Sequence, residues 1–167
     1  MALRPAVPED VDMLARLHVA SWAETYPGLL PDAEIARYDL AFRQAQWARI
    51  LQPDPSKRVF LVPEAGFAVM GPQREAALAL EYPEELYSLY VLQSAQRHGI
   101  GRALLEAVRS DAAFSASVVV GNVQAERFYA AQGGVELFRT SEMIGAAQVE
   151  EVVLGFTARP TRILPPL

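Results

Sequence analysis

The sequence predicts a single α/β (α+β) domain, a mixed and mostly antiparallel sheet of six to seven strands with helices on both faces. Three observations lead there. The elements run strand, two helices, three strands, helix, strand, helix, two strands. Residues 85–92 are rich in aromatic and branched side chains and pass through a turn holding Gly99 and Gly101 into an amphipathic helix. Residues 117–120 form a short, nearly continuous apolar run, as in a strand covered on both faces.

In chain order, residues 2–5 make a short first strand. Pro8, Glu9 and Asp10 bring helix-start chemistry ahead of a helix over 11–24, where Met13, Leu14, Leu17 and Ala20 share a face. Pro27 and Gly28 end it. Pro31 and Asp32 begin a second helix that runs through Tyr38, Phe42 and Trp47 toward Leu51, and the two form a helical hairpin. After Pro53, Asp54, Pro55 and Ser56, residues 58–62 and 66–70 read as a β-hairpin turning at Pro63, Glu64 and Ala65. Residues 71–83 carry no clear period. The strand over 85–92 and its glycine turn lead into a helix reaching about Asp111, with Ile100, Ala103, Leu104, Ala107 and Val108 as its buried stripe. The strand over 117–120 precedes a helix from Asn122 to Gln132, stopped by Gly133 and Gly134. Residues 135–139 and 149–156 supply two last strands, antiparallel and joined by the polar stretch 140–148. The domain is expected over residues 1–159, with a proline-rich tail over 160–167.

A chain of 167 residues can bury one core without a second domain. No apolar run approaches the ~20 residues of a membrane span. Residues 1–8 lack the basic flank and apolar stretch of a targeting segment, so a cytoplasmic protein is expected. The absence of cysteine excludes disulfides, thiolate metal sites and a cysteine nucleophile, and two histidines, His18 and His98, are too few for a histidine cage; no metal is expected. A net charge of −5 opposes broad attachment to nucleic acid or anionic lipid and suits a cationic amine as substrate.

The turn Gln96, Arg97, His98, Gly99, Ile100, Gly101, Arg102 builds an anion site from backbone. A helix's first turn leaves N–H donors without intrahelical acceptors and carries the positive end of the dipole, while glycine removes side chains that would block a phosphate. With Gln96 three residues before Gly99 and five before Gly101, this stretch resembles the acyl-CoA pyrophosphate loop of the GNAT superfamily of N-acetyltransferases. Asn122, Ala125, Phe128, Tyr129 and Gly133 resemble the second acyl-CoA motif of that family. Taken singly, Asn122 is a helix cap, and Phe128 and Tyr129 are core packing. Where the family usually places phenylalanine after the glycine, this chain has Gly134. Trp22, Tyr26, Gly28, Leu29, Leu30 and Pro31 resemble a stretch that walls the acceptor site in members acting on small amines or amino acids.

The resemblance implies the GNAT fold, with two central strands splayed to admit the pantetheine arm. It also implies transfer of an acetyl group from acetyl-CoA to a primary amine of a small molecule, amino acid or peptide, by direct attack in a ternary complex that releases coenzyme A. Such chemistry needs a base for the amine, donors for an oxyanion and a proton for the leaving thiolate. Glu85 is the expected base, since period-2 alternation puts Glu85, Tyr87, Leu89 and Val91 on one face; Glu81 and Glu84 are weaker substitutes. Backbone donors are expected from Leu89, Tyr90 and Val91, with Val91 at the thioester oxygen. Tyr129 is implied as the acid, its ordinary phenol pKa of about 10 keeping it protonated at neutral pH. Trp22, Tyr26 and Glu85 should touch the acceptor, His18 reads as a core or solvent-facing residue, and His98 as a spacer. Two other readings stay open. One is a domain of the same fold that binds acyl-CoA as a sensor or scaffold without turnover; the other is a dinucleotide-binding enzyme, against which the late position of the glycine loop argues. Family members are often dimers, which leaves a homodimer open.

Overall fold

The stretches of alternating and helical pattern resolve, in the computed structural model, into seven strands and five α-helices over the described residues 2–160. The expected tail lies outside the described residues beyond Pro160. The strands are β1 Arg4–Pro5, β2 Arg58–Val62, β3 Gly66–Pro72, β4 Glu84–Val91, β5 Phe114–Val119, β6 Val135–Ile144 and β7 Ala147–Phe156. The helices are α1 Val11–Thr25, α2 Asp32–Arg37, α3 Leu40–Ile50, α4 Ile100–Val108 and α5 Val123–Ala131. One sheet holds the order β1-β2-β3-β4-β5-β7-β6, antiparallel throughout except for β4 beside β5.

Four local expectations are corrected. The second helix is two, because Tyr38 leaves the helical region (φ −87°, ψ 58°) and the Asp39 carboxylate restarts the chain by accepting the Phe42 N–H at 2.9 Å. Helix α4 stops at Val108, since Arg109 is extended (φ −78°, ψ 145°). Strand β5 begins at Phe114 rather than Ser117. Residues 140–148 are no loop: β6 and β7 stay paired to Ile144 opposite Ala147 around Gly145, whose φ of +61° makes the tight turn.

Helices cover both faces of the sheet. Against one, Leu104, Leu105 and Val108 of α4 and Tyr129 of α5 pack on Met70, Leu86, Phe114, Val118 and Phe156. Against the other, Leu14 and Leu17 of α1 and Trp47 of α3 pack on Leu61, Phe67 and Val69. Each fully buried Leu, Phe or Val contributes about 1.5–3 kcal/mol by leaving water, and the two layers together hold the sheet rigid between them.

Two irregularities of β4 position the site. Its parallel pairing with β5 covers only Glu84 to Leu86 opposite Phe114 to Ala116, after which β4 continues to Val91 and β5 to Val119 without pairing. The sheet therefore splits at its centre. A β-bulge also interrupts β4: Val69 faces Ser88 but Met70 faces Leu86, leaving Tyr87 as the extra residue. Leu86, Leu89 and Val91 consequently pack on the α4–α5 side, whereas Tyr87, Tyr90 and Leu92 pack on the α1–α3 side. Strict alternation fails here, and Glu85, opposite in sense to Leu86, does not share the face of Leu89 and Val91.

Candidate active site

On the α4–α5 side, the turn after β4 is held open by its own sequence. Gln93–Ala95 make one tight 3-10 turn, and Arg97 and Gly99 both take positive φ (65° and 77°) before α4 begins. The first bond into the helix runs from the Ala103 N–H to the Gly99 carbonyl at 3.0 Å, so among the described residues the amides of 97–102 have no acceptor. These donors face a cleft of about 540 Å³ lined by Val91, Gln96, Gly101, Asn122, Phe128 and Tyr129. Leu89, Tyr90, Arg97, Gly99, Ile100 and Arg102 also border it, and His98 alone of the expected cofactor residues does not.

Gln96 has a second task, because its Nε2 donates to the Val91 carbonyl at 2.9 Å and its Oε1 accepts from Gln124 of α5. The loop is thereby tied across the split to α5. Gly101 is glycine for packing: a Cβ there would lie 3.1 Å from the Phe128 ring edge, while one on Gly99 would meet nothing within 4 Å. Arg127 borders the cleft as well, a cation that sequence reasoning passed over.

Backbone donors at the split follow from the ladder. Leu92 donates its N–H to Ala65 of the β3 side at 2.8 Å, so alternation turns the N–H groups of Val91 and Leu89 to the opposite edge, from which β5 has departed. That edge is the mouth between the two strands.

Asn122 caps α5, its Oδ1 accepting the Ala125 N–H at 3.2 Å. Two turns on, Tyr129 is 7% exposed, and burial, then the neighbouring Tyr90 phenol, pushes its pKa well above 10. Gly134 closes α5 against β7: an added Cβ would stand 2.8 Å from Phe156 and 3.0 Å from the Tyr129 carbonyl. No phenylalanine fits at 134, and the ring beside Tyr129 from this direction is Phe156, at 6.0 Å between centroids.

A second cleft, about 850 Å³, opens on the α1–α3 side and is bordered by Trp22, Tyr26, Glu85, Tyr90, Arg43 and Glu151. The two clefts share Leu89, Tyr90, Asn122, Ala125 and Tyr129, so they meet through the split. The Tyr26 and Tyr90 hydroxyls lie 2.7 Å apart, and burial raises both phenols. His18 is buried beneath them among Trp22, Trp47, Phe67 and Tyr90, and desolvation, followed by the charge of Arg43, lowers it to about 2.

Glu85 reaches this cleft already engaged. Its oxygens accept from Arg74 Nη2 at 2.6 Å, Arg74 Nε at 3.0 Å and the Arg74 N–H at 3.1 Å. Glu84 is held elsewhere by Arg58 at 2.8 Å and Ser110 at 2.9 Å, and Glu81 is exposed in the turn before β4. Glu151 on β7, which sequence reasoning missed, borders the cleft half-buried with no hydrogen-bond or ion-pair partner among the described residues. Burial, then Glu142 and Glu85, raises its pKa, against a smaller opposing pull from Arg74. Only its position in the middle of β7, opposite Val119 of the split strand, singles it out, and that register is invisible in one sequence.

Comparison with known proteins agrees with this architecture. Residues 55–133 match the acetyltransferase (GNAT) domain family. The uncharacterized N-acetyltransferase YuaI of Bacillus subtilis is 34% identical over 111 residues, 63% of this chain and 60% of that protein's length. A GCN5-related N-acetyltransferase from Rhodopseudomonas palustris superposes with a TM-score of 0.70 at 20% identity, covering 94% of each chain. The structure of yncA from Salmonella typhimurium, solved with its cofactor acetyl-CoA, superposes with a TM-score of 0.65 at 18% identity over 99% of this chain and 97% of that one. Among the described residues no helix is long and apolar enough to cross a membrane. The matched segment spans the split strands, and the fold is shared with these solved structures over almost the whole chain.

Proposed function

We propose that this protein is an acetyl-CoA-dependent N-acetyltransferase acting on a primary amine of a small molecule, amino acid or peptide by direct attack in a ternary complex. The observation that carries the reading is the meeting of two clefts from opposite faces of the sheet at Tyr129, where β4 and β5 have parted. Acetyl-CoA supplies an activated acyl group as a thioester. Its pyrophosphate suits the unpaired amides of 97–102 with Arg97, Arg102 and Arg127 around them. Its pantetheine arm suits the bare edge of β4, where Leu89 and Val91 offer N–H groups; in this reading Val91 donates to the oxygen that gains charge.

The acceptor amine enters from the α1–α3 side. Sequence reasoning points to Glu85 as its base, but both Glu85 oxygens already accept from Arg74, whereas Glu151 has free lone pairs and a raised pKa. We therefore assign the amine's proton to Glu151 and give Glu85 the task of fixing Arg74 across the cleft. As the new C–N bond forms and the C–S bond breaks, the Tyr129 hydroxyl gives its proton to the departing thiolate. Its raised pKa keeps that proton available at neutral pH.

Thiol release from acetyl-CoA, followed across a panel of primary amines, tests the assignment. Amine-dependent release that falls by about 10²-fold or more in Tyr129→Phe is expected. Acetyl-CoA binding without release for any amine would make the chain a binding domain, and an unimpaired Tyr129→Phe would remove the acid.

A further inference from the structure

Arg43 closes the first turn of α3, is 3% exposed, and borders the larger cleft. Its guanidinium stacks 4.4 Å from the Trp22 ring centre and 5.0 Å from that of Tyr38. Nη1 donates to Gln46 at 2.8 Å, but Nε and Nη2 have no acceptor and no exposure to solvent. Burial lowers its pKa to about 10, which leaves it a cation at neutral pH, and the titratable groups that act on it are the phenols of Tyr90, Tyr38 and Tyr26, not a carboxylate. A buried cation without a counterion is costly to the fold and calls for an anion that arrives later.

The unpaired edge has a definite shape. Nε and Nη2 form the side of the guanidinium that grips two oxygens of one planar anion in parallel. Elsewhere on the cleft wall stand Glu85, Glu142 and Glu151, whose mutual repulsion acts on Glu151. One region of the cleft therefore asks for an anion and another for an amine. Tyr38 stacks on the guanidinium and Gln46 accepts from it; both are only half-buried and border the same cleft.

Resting on the acetyltransfer reading, we infer that the acceptor carries a carboxylate besides the amine that is acetylated, an amino-acid-like zwitterion, and that the Nε–Nη2 edge of Arg43 receives that carboxylate. Arg43 is then the residue that sets acceptor class.

The test is thiol release with matched acceptors: free amino acids, their amides, the corresponding decarboxylated amines and aminoalkylphosphonates. The amino acids should exceed their amides in kcat/KM by about 10²-fold, and Arg43→Met should raise KM for the amino acids by about 30-fold or more while leaving KM for acetyl-CoA unchanged. Arg43→Lys should fall between, since it keeps the charge and loses the fork. Without ligand, Arg43→Met should melt no lower than the wild type, because it removes an uncompensated buried charge. Equal use of amino acids and amides, or an Arg43→Met loss shared by every amine, overturns the inference, and preference for phosphonates overturns the carboxylate. Should Arg43→Met fail to fold, thermal stabilisation of the wild type by free amino acids but not by their amides decides the matter. That last measurement needs no turnover, so acetyl-CoA binding without thiol release would sink the acetyltransfer reading and still leave Arg43 tested.

Discussion

Gly99 and Gly101, two positions apart in the 97–102 turn, are glycine for different reasons, and substituting each by alanine should separate stability from ligand binding. Gly99 sits at φ +77° with nothing within 4 Å of a Cβ, so alanine there meets no neighbour but must hold a left-handed conformation. That costs about 1–2 kcal/mol. In a domain of this size it lowers Tm by roughly 2–8 °C. Gly101 has no such dihedral. Its Cβ would lie 3.1 and 3.3 Å from the edge of Phe128, inside the ordinary carbon–carbon separation, so the ring must retreat by about 0.5 Å. Phe128 borders the smaller cleft, and its open side is that cleft. The strain therefore passes to the ligand: Gly101→Ala should weaken coenzyme A binding by about 5- to 30-fold, equivalent to about 1–2 kcal/mol. Calorimetric titration with coenzyme A beside thermal melts of both variants reads the two quantities. A Gly101→Ala protein that binds coenzyme A as tightly as the wild type would refute the reasoning, as would a Gly99→Ala protein of unchanged Tm.

Other outcomes follow from single residues. Glu151→Gln should lower kcat by about 10²- to 10⁴-fold; in proteins that keep Glu151, the acid limb of the kcat profile should move to lower pH in Glu142→Gln and to higher pH in Arg74→Met. Unmoved limbs in both would take the proton away from Glu151. His18 has a folded pKa of about 2, below its ordinary 6.5, so its share of stability is complete above 6.5 and is lost as pH falls toward 2. Between pH 7 and pH 5 that share falls by about 2 kcal/mol, and urea melts of His18→Leu should lack this part of the decline. Gly134→Ala should cost about 1–3 kcal/mol through overlap with Phe156, read as a lower Tm; an unchanged Tm would show that the closure of α5 on β7 has slack.

Where residues carry local signals, the sequence is a good guide to this fold. Gly99 and Gly101 mark the turn, Asn122 caps the helix it precedes, and Pro63 with its neighbours turns β2 into β3. What escapes is set by pairing. Tyr87 is ordinary strand sequence, yet its bulge reverses the faces of β4 and separates Glu85 from Val91, because the register of Val69 against Ser88 is fixed by β3. Residues 140–148 read as a polar loop since both faces of that hairpin end are largely exposed, and polar strands look like loops when no apolar alternation betrays them. Arg43 and Glu151 are charged residues 108 positions apart in an acidic, unremarkable background; only the sheet and α3 bring them to one cleft. The lining of the smaller cleft was legible because most of it falls in two short stretches, 89–102 and 122–129. On the larger cleft Trp22, Tyr26 and Glu85 were legible, whereas Arg43 of α3 and Glu151 of β7 were not.

The central claim is that main-chain amides after β4 hold a nucleotide thioester whose sulfur lies in the gap between β4 and β5. A crystal structure with coenzyme A bound tests it directly. Electron density is expected with the pyrophosphate on the amides of residues 97–102 and the sulfur between Val91 and the Tyr129 hydroxyl. Density for coenzyme A at any other site, with this cleft holding only solvent, would contradict it.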